Sequence, residues 1–359
     1  MPKPVLLLTH SGDFYTIDRV AGALRRRGAA PIRVDTDTYP MDLALSVRLS
    51  ARGGEQPLIE DRGGEQPPIE SRAGEQPSFE GKQPSGGEGL SLRTAEGMLD
   101  LEQVAAIWVR RLWPGRLPAA MSPRFTEHCW QQSRTAFFDS LPLLEHCRWV
   151  NAIPALLAAE SKLLQLRTAR RIGLSFPDTL VTNDPAAVRA FHESLGGRMV
   201  TKLLVALSQT MDGSGDFMYT SEVRAEDLDD IHGLRYAPQI FQPLIEKRRE
   251  LRVIVVGRHL FAGSIDPRAT QRGQIDWRLS EPGTGWAVAE LPPAVEAQVR
   301  QLLRQLGLTS AAVDFIVDPA GQYHFLEVNP AGEWGWLERD LGLPIADAIA
   351  ETLLEGGEP

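Results

Sequence analysis

Residues 5–8 form a short apolar run suited to a buried strand, and residues 17–27 carry apolar positions at helical spacing that stop before Gly28. Residues 31–35 read as a second strand, so the chain opens with a β-α-β pattern that predicts an α/β domain. No GxGxxG follows the first strand, which makes the unit Rossmann-like at most and gives no support to dinucleotide binding. Residues 45–50, 90–93 and 104–110 are further strand candidates, and 122–141 reads as a long helix. A second composition begins at Asn151, so a subdomain boundary is expected near residue 150. There a helical stretch over 154–172 ends at Gly173, followed by residues 176–182, an Asn-Asp-Pro helix start and a strand over 199–204. Near the C-terminus, two alternating apolar strands flank Asp318-Pro319-Ala320-Gly321, which predicts an antiparallel hairpin.

At 359 residues the chain exceeds what one core sustains, since single cores stop growing at roughly 250–300 residues, and two or three packed subdomains are expected. Hydrophobic content of 43% and charged content of 24% are those of a folded globular protein. The four-residue apolar run at the N-terminus is too short for a signal peptide or a membrane span, so the chain is read as cytoplasmic. Cys129 and Cys147 show no CxxC spacing, which argues against a disulfide framework or a zinc site and predicts buried, inert thiols. A net charge of −9 disfavours nucleic acid as a partner. The charge is uneven: residues 246–278 hold eight basic side chains against four acidic ones, a candidate seat for an anionic ligand. Within 51–90 a ten-residue repeat, RGGEQPLIED, RGGEQPPIES, RAGEQPSFEG, is too poor in apolar residues to offset ordering entropy. It is expected to be a solvated loop between two hairpin strands, either a tolerated insertion or an imitation of an acidic peptide.

Three separated clusters carry candidate chemistry. Lys162 lies in a helix and Lys202 in the apolar run RMVTKLLVAL, where a charge is costly unless an anion such as phosphate meets it; the alternative is that each ammonium reaches water along its own stem. The segment FQPLIEKRRELRVIVVG places Pro243 in an apolar strand, which would leave backbone groups of Gln242 and Ile245 to pair with a heterocycle and Glu250 within reach of a ribose. An edge strand with a charged turn is the other reading. In AAVDFIVDPAGQYHFLEVNP, Asp314, Glu327 and Asn329 fall on paired strands, the last two on one face. Three oxygen ligands of this kind suit Mg²⁺ better than Zn²⁺, and carboxylates in an apolar context need a cation or a hydrogen-bond partner.

The ordered set Lys162, Lys202, QPLI with Glu250, and Asp314…Glu327-Val328-Asn329 resembles the ATP-grasp superfamily. More narrowly, LTHSGD, VDTDTYP, WVRRLW, VTKLL, FQPLIEKRRELRVIVVG, IDWR and FLEVNPAGEWGWLE resemble the ligases that cyclise microviridin-type peptides, the graspetides. The resemblance implies an ATP-grasp fold of mixed α/β and α+β class. Its parts would be a Rossmann-like pre-ATP-grasp domain over 1–150, a central lid over 151–241 and a C-terminal domain with the metal site over 242–359. It implies ATP and Mg²⁺ as cofactors. Lys162 and Lys202 would hold the α- and β-phosphates, and the Gln242-Pro243-Leu244-Ile245 hinge would hold adenine, with Glu250 on the ribose. Asp314, Glu327 and Asn329 would hold magnesium, and Arg252 and Arg278 would contact the transferring phosphoryl group; a surface ion pair with Asp276 is the alternative for Arg278.

The implied partner is a ribosomal precursor peptide with a leader and an acidic core, and the implied assembly is a homodimer, with no nucleic acid or membrane. The implied reaction activates an Asp or Glu side chain as an acyl phosphate, which a Thr or Ser hydroxyl or a Lys amine of the same peptide then attacks. Residues 208–216, rich in glycine and small polar side chains, are a candidate closing loop or an ordinary hairpin turn. Arg110 and Arg111 either contact the peptide core or form structural ion pairs. A ligase that adds amino acids to a protein or small peptide, and a non-catalytic ATP sensor, are the competing functions.

Overall fold

A computed structural model describes residues 3–49, 89–95, 97–112, 115–205, 220–267 and 285–356. The repeats, residues 208–216 and Arg278 lie outside the described residues. The first part runs β1 (Pro4–Thr9), α1 (Tyr15–Arg26), β2 (Ala30–Asp35), β3 (Ala44–Arg48), β4 (Gly89–Thr94), β5 (Gly97–Asp100), β6 (Ala106–Val109), α2 (Pro123–Ser140) and β7 (Arg148–Val150). Strands β2-β1-β6-β7 form a parallel sheet, as the β-α-β opening implies. The strands flanking the repeats pair antiparallel, from Ala44 opposite Arg93 to Arg48 opposite Gly89. Strand β5, which joins them, has only four residues and a mostly exposed pattern, too little periodicity to be read from sequence.

The second part runs α3 (Ile153–Ala159), α4 (Lys162–Arg171), β8 (Leu180–Thr182), α5 (Pro185–Ser194), β9 (Met199–Lys202), β10 (Ser221–Val223) and β11 (Gln239–Pro243). The stretch expected as one helix over 154–172 is two. Ser161 ends the first and caps the second, its hydroxyl accepting from the Leu164 amide at 3.3 Å, so that Lys162 opens α4. Strands β10-β9-β11-β8 make an antiparallel sheet over a small core of Val188, Met199, Val223, Leu234 and Phe241.

The third part holds β12 (Arg249–Val256), β13 (His259–Ile265), β14 (Trp286–Ala289), α6 (Pro293–Leu306), β15 (Ser310–Val317), β16 (Tyr323–Asn329), α7 (Gly335–Leu341) and α8 (Ile345–Glu355). Its antiparallel sheet, ordered β14-β13-β12-β15-β16, is covered on both faces. Leu251, Val253 and Val255 pack with Val299, Leu302 and Leu303 of α6, whereas Ile254 and Val256 join a cluster with Ile17 and Val20 of α1 and Ile349 and Leu353 of α8. Each such fully buried side chain contributes about 1.5–3 kcal/mol. The period of two along β12 places Glu250 and Arg252 on the face of Ile254 and Val256, the one turned toward the first sheet.

Candidate nucleotide and metal site

One row of cross-strand neighbours defines the site. Gly263 on β13 pairs with Arg252 on β12, Arg252 with Asp314 on β15, and Asp314 with Glu327 on β16. Both oxygens of Asp314 lie 3.2 Å from the Arg252 guanidinium, and Asn329 Nδ2 reaches Asp314 Oδ2 at 3.0 Å and Glu327 Oε1 at 3.3 Å. Lys162 completes the group by pairing with Glu327. Lys162, Arg252, Asp314, Glu327 and Asn329, separated by up to 167 positions, therefore converge on one face.

The convergence depends on a register shift that the sequence pattern conceals. Strict alternation would put Phe325 and Glu327 on the same face, yet Phe325 is buried opposite Phe315 while Glu327 stands opposite Asp314. The shift between Asp314 and Phe315 absorbs Leu326 as an extra residue, as a β-bulge does, and turns the second half of β16 outward. The alternating strands expected over 311–330 are thus present, with a change of phase at the site. The Asp318–Gly321 turn forms as expected, the Gly321 amide donating to Asp318 O at 3.0 Å with Gly321 at φ +86°.

Two buried amides that sequence reasoning missed hold this geometry. Gln165 lies one turn after Lys162 on α4; its Nε2 donates to Val328 O at 2.8 Å and its Oε1 accepts from Val328 N at 2.8 Å. It serves as the missing neighbour of edge strand β16 at the residue between Glu327 and Asn329. Asn151 similarly accepts from Thr309 N and Ser310 N at 2.8 and 2.9 Å and donates to Ser310 O and Pro330 O at 2.7 and 3.3 Å. For Gln165 the available signal is its spacing of four and seven residues from Ala169 and Ile172, which puts it on their helix face.

The hinge differs from expectation. Strand β11 lies between β9 and β8 and is no edge, and Pro243 ends it without interrupting an interior ladder. Gln242 sits in the ladder opposite Val200 and its side chain donates to Thr179 Oγ1 at 2.9 Å, while the Leu244 amide is taken by Arg198 O at 2.9 Å. Ile245 follows, half-buried, on the short path into β12. Lys202 is the last residue of β9, opposite Ile240; Leu203 and Leu204 lie beyond the strand, half-buried, and Val205 is 77% exposed, so the charge is not enclosed by an apolar strand. Glu250 is buried with Lys247, 2.9 Å away. Among the described residues of 246–278 the basic side chains have separate partners: Lys247 pairs with Glu250, Arg249 donates to the Tyr323 hydroxyl, Arg252 faces Asp314, and Arg258, beyond the far end of β12, pairs with Glu351.

On the side of the first sheet, Arg110 is buried at the end of β6. It donates to Thr16 Oγ1 at 3.1 Å and Ala331 O at 3.0 Å, and pairs with Glu333. This is the structural role among its two readings. Burial, reinforced by Arg110, holds the Arg111 guanidinium below its ordinary value. Burial likewise lowers His10 against the opposing pull of Asp13, and His10 Nδ1 accepts from the Gly12 amide at 3.1 Å. Burial would raise Asp37, but the Ser11 hydroxyl at 2.6 Å and the Ser11 amide at 2.8 Å outweigh it, leaving its carboxyl below the usual value.

The donor set fits a hard divalent cation. Two carboxylates, each within hydrogen-bond distance of the Asn329 amide, match the one or two carboxylates that magnesium uses when phosphates supply further ligands, and the amide turned over adds a third oxygen. Among the described residues no group of three or more His, Cys, Asp and Glu gathers to hold a metal, this site contributing two carboxylates and an amide, and no helix is long and apolar enough to cross a membrane.

The family model of the MvdD pre-ATP-grasp domain matches residues 4–67 and 76–156. The crystal structure of macrocyclase MdnB from Microcystis aeruginosa MRC is 39% identical, covering 99% of this chain and 100% of that one, with a TM-score of 0.78. The chain belongs to the ATP-grasp macrocyclase family. MdnC of the same organism, solved with precursor peptide MdnA, matches this macrocyclase homologue at 30% identity over 98% of this chain and 99% of that one, with a TM-score of 0.79. An ATP-grasp ligase associated with ribosomal peptide modification in Chryseobacterium gregarium, in complex with ADP and a leader and core peptide, is 26% identical over 98% and 97% of the two chains, with a TM-score of 0.82. No curated protein matches the chain. The protein is accordingly an ATP-grasp ligase, as the ordered motifs imply, with the mixed fold expected of it.

Proposed function

We propose that this ligase uses Mg²⁺-ATP to macrocyclise a ribosomal precursor peptide. The observation that carries the reading is the convergence of Lys162, Arg252, Asp314, Glu327 and Asn329 on one sheet face. In the closed pairs described above each cation neutralises a carboxylate, and a nucleotide with its metal would exchange those partners: Lys162 and Arg252 turn to phosphate oxygens, and Asp314, Glu327 and Asn329 become available as metal ligands. Bound there, magnesium would offset charge on the phosphate oxygens. Lys202 on β9 and Glu250 on β12 would serve the phosphates and ribose, and Gln242 through Ile245, between those strands in the chain, would take the base.

A substrate carboxylate oxygen attacks the γ-phosphorus, the bond to ADP breaks, and an acyl phosphate forms. A Thr or Ser hydroxyl, or a Lys amine, of the same peptide then attacks the acyl carbon and loses its proton as inorganic phosphate departs. Arg252, buried and anchored by its Nε on Glu333 O, would keep that anchor while Nη1 leaves Asp314 to stabilise the transferring phosphoryl group. Arg278, in the IDWR motif, is assigned the same group. The complexes solved for MdnC and the Chryseobacterium ligase, with precursor, leader and core peptides, support a peptide substrate here. The need for ATP and two free thiols support a cytoplasmic setting. A homodimer is supported by α2, where only Phe137 and Ser140 of 18 residues are buried and Phe125 stands 52% exposed.

The test is incubation with ATP, Mg²⁺ and a short synthetic Thr-, Asp- and Glu-rich peptide, with MdnA as reference, followed by mass spectrometry. The peptide should lose the mass of one water per ring as ADP accumulates, and Glu327→Gln should abolish both. An unchanged peptide mass, or undiminished turnover by the variant, overturns the reading.

A further inference from the structure

Residues 330–335 leave β16 immediately after Asn329 and lead into α7. They are squeezed from both sides. A Cβ at Gly332 would stand 2.5 Å from Ala312 Cβ and 2.9 Å from an Arg252 nitrogen, and one at Gly335 would stand 2.8 Å from both Thr16 and Tyr15 on α1. Within this wedge Glu333 is bound three ways. Its Oε1 accepts from the Trp334 and Gly335 amides at 3.2 and 2.9 Å, and its Oε2 pairs with Arg110 at the end of β6. Its backbone carbonyl accepts from Arg252 Nε at 3.0 Å, the same guanidinium that holds both oxygens of Asp314.

Arg110 is anchored in turn on the first sheet's side, by Thr16 Oγ1 at 3.1 Å and Asp13 Oδ2 at 3.6 Å. A line of contacts thus runs Asp13, Arg110, Glu333, Arg252, Asp314, in which Glu333 is the middle member, meeting Arg110 with its carboxylate and Arg252 with its backbone carbonyl. One end is the loop after β1, beside β6, where the order of the parallel sheet reverses; in open α/β sheets ligands are gripped at such a point. The other end is the phosphate-facing row.

We propose that Glu333 is a positioning residue for the ligase reaction, locking Arg252 and Asp314 to the carboxyl ends of β1 and β6 so that the two faces of the site keep one separation. This rests on the ligase reading above. In-line transfer tolerates little error, a displacement of about 1 Å costing on the order of 100-fold. The Glu333 side chain is 28% exposed, so its replacement opens no large cavity and its effect is separable from loss of packing.

Glu333→Gln keeps the size and the acceptor for the α7 amides and removes the charge on Arg110. Three results are expected. Calorimetry with Mg-ADP gives a Kd within about three-fold of wild type; kcat for ADP release with the synthetic Thr-, Asp- and Glu-rich peptide or MdnA falls about ten-fold while KM for ATP holds; and Arg110→Gln reproduces the loss, the double variant being no worse than either single one. Independently of any peptide, hydrogen exchange of amides 10–16 should slow on addition of Mg-ADP in the wild type and not in Glu333→Gln. A kcat within two-fold of wild type, additive losses in the double variant, or exchange that responds equally in both proteins or in neither overturns the proposal. A wild type that releases no ADP with either peptide overturns the peptide reading, and the exchange comparison still decides the role of Glu333.

Discussion

Gly332→Ala tests whether the approach of the loop after β16 to the site is as close as the structure shows. Gly332 is not among the glycines with positive φ, so its backbone conformation is open to alanine and crowding alone is at issue. The new methyl would lie 2.5 Å from Ala312 Cβ and 3.1 Å from Asn329 Cβ, atoms fixed to the backbones of β15 and β16, and 2.9 Å from an Arg252 nitrogen. No rotamer change relieves the first two contacts, so a strand or the loop must move. Overpacking of this kind costs about 1–3 kcal/mol, and with two rigid neighbours the upper half of that range applies. Melting should fall by about 3–4 °C. Because Arg252 must yield as well, and with it the 3.2 Å contact to Asp314, Mg-ADP should bind about ten-fold more weakly. Gly263→Ala is the control in the same row: its nearest obstacle is Leu337 Cδ2 at 2.5 Å, the end of a side chain that can turn, so it should cost less and leave nucleotide affinity nearly intact. A Gly332→Ala protein that melts within a degree of wild type and binds Mg-ADP equally well would refute the close approach.

Asn151→Ala should cost about 2–4 kcal/mol in urea titrations, since two buried amides and two carbonyls lose their partner, while the adjoining cavity of about 20 Å³ admits one water that recovers part of the loss; a cost below about 1 kcal/mol would remove Asn151 as the clamp on β15. Cys147 is pushed up to about 11 by burial, with Glu102 adding to it, and contacts Val104 O at 3.0 Å, so at pH 8 its thiolate fraction is about one in a thousand. One thiol, Cys129, should titrate in the native protein and two after denaturation, and rapid native labelling of Cys147 would contradict its burial. Asp37 has a folded pKa below its ordinary 3.8, so its contribution to stability is full above that value and is lost as pH falls through the folded one. Asp37→Asn should therefore be less stable than wild type at pH 7 and converge with it in acid; a gap that persists unchanged to pH 2 would show that the carboxylate is not the source.

The parts legible in the sequence are those written in short-range pattern. The β-α-β opening, the hairpin around Asp318 and the spacing of Glu327 and Asn329 each follow from periodicity within a dozen residues or fewer. The misreadings arose where a long-range partner decides the outcome. Whether Pro243 interrupts or ends a strand depends on β8 and β9 at its sides, and the enclosure of Lys202 depends on where β9 stops. Of the positive charge counted over 246–278, the described part is spread along β12, an eight-residue strand that carries its two ends in opposite directions.

The most consequential hidden feature is the phase change in β16. Sequence spacing made Asp314, Glu327 and Asn329 a plausible trio, yet a regular hairpin that buries Phe325 against Phe315 would drive Glu327 into the same core, where an unpaired carboxylate is not tolerated. One extra residue lets a strand be core at its start and site at its end. That arrangement is stable only if the outer edge of β16 is held where the phase changes, and Gln165 holds Val328 by both its amide and its carbonyl while Lys162, three residues earlier on α4, meets Glu327. The helix break at Ser161 therefore has a chemical consequence: it sets the start of α4, and with it whether a lysine and a glutamine on one helix face arrive together at a single strand edge.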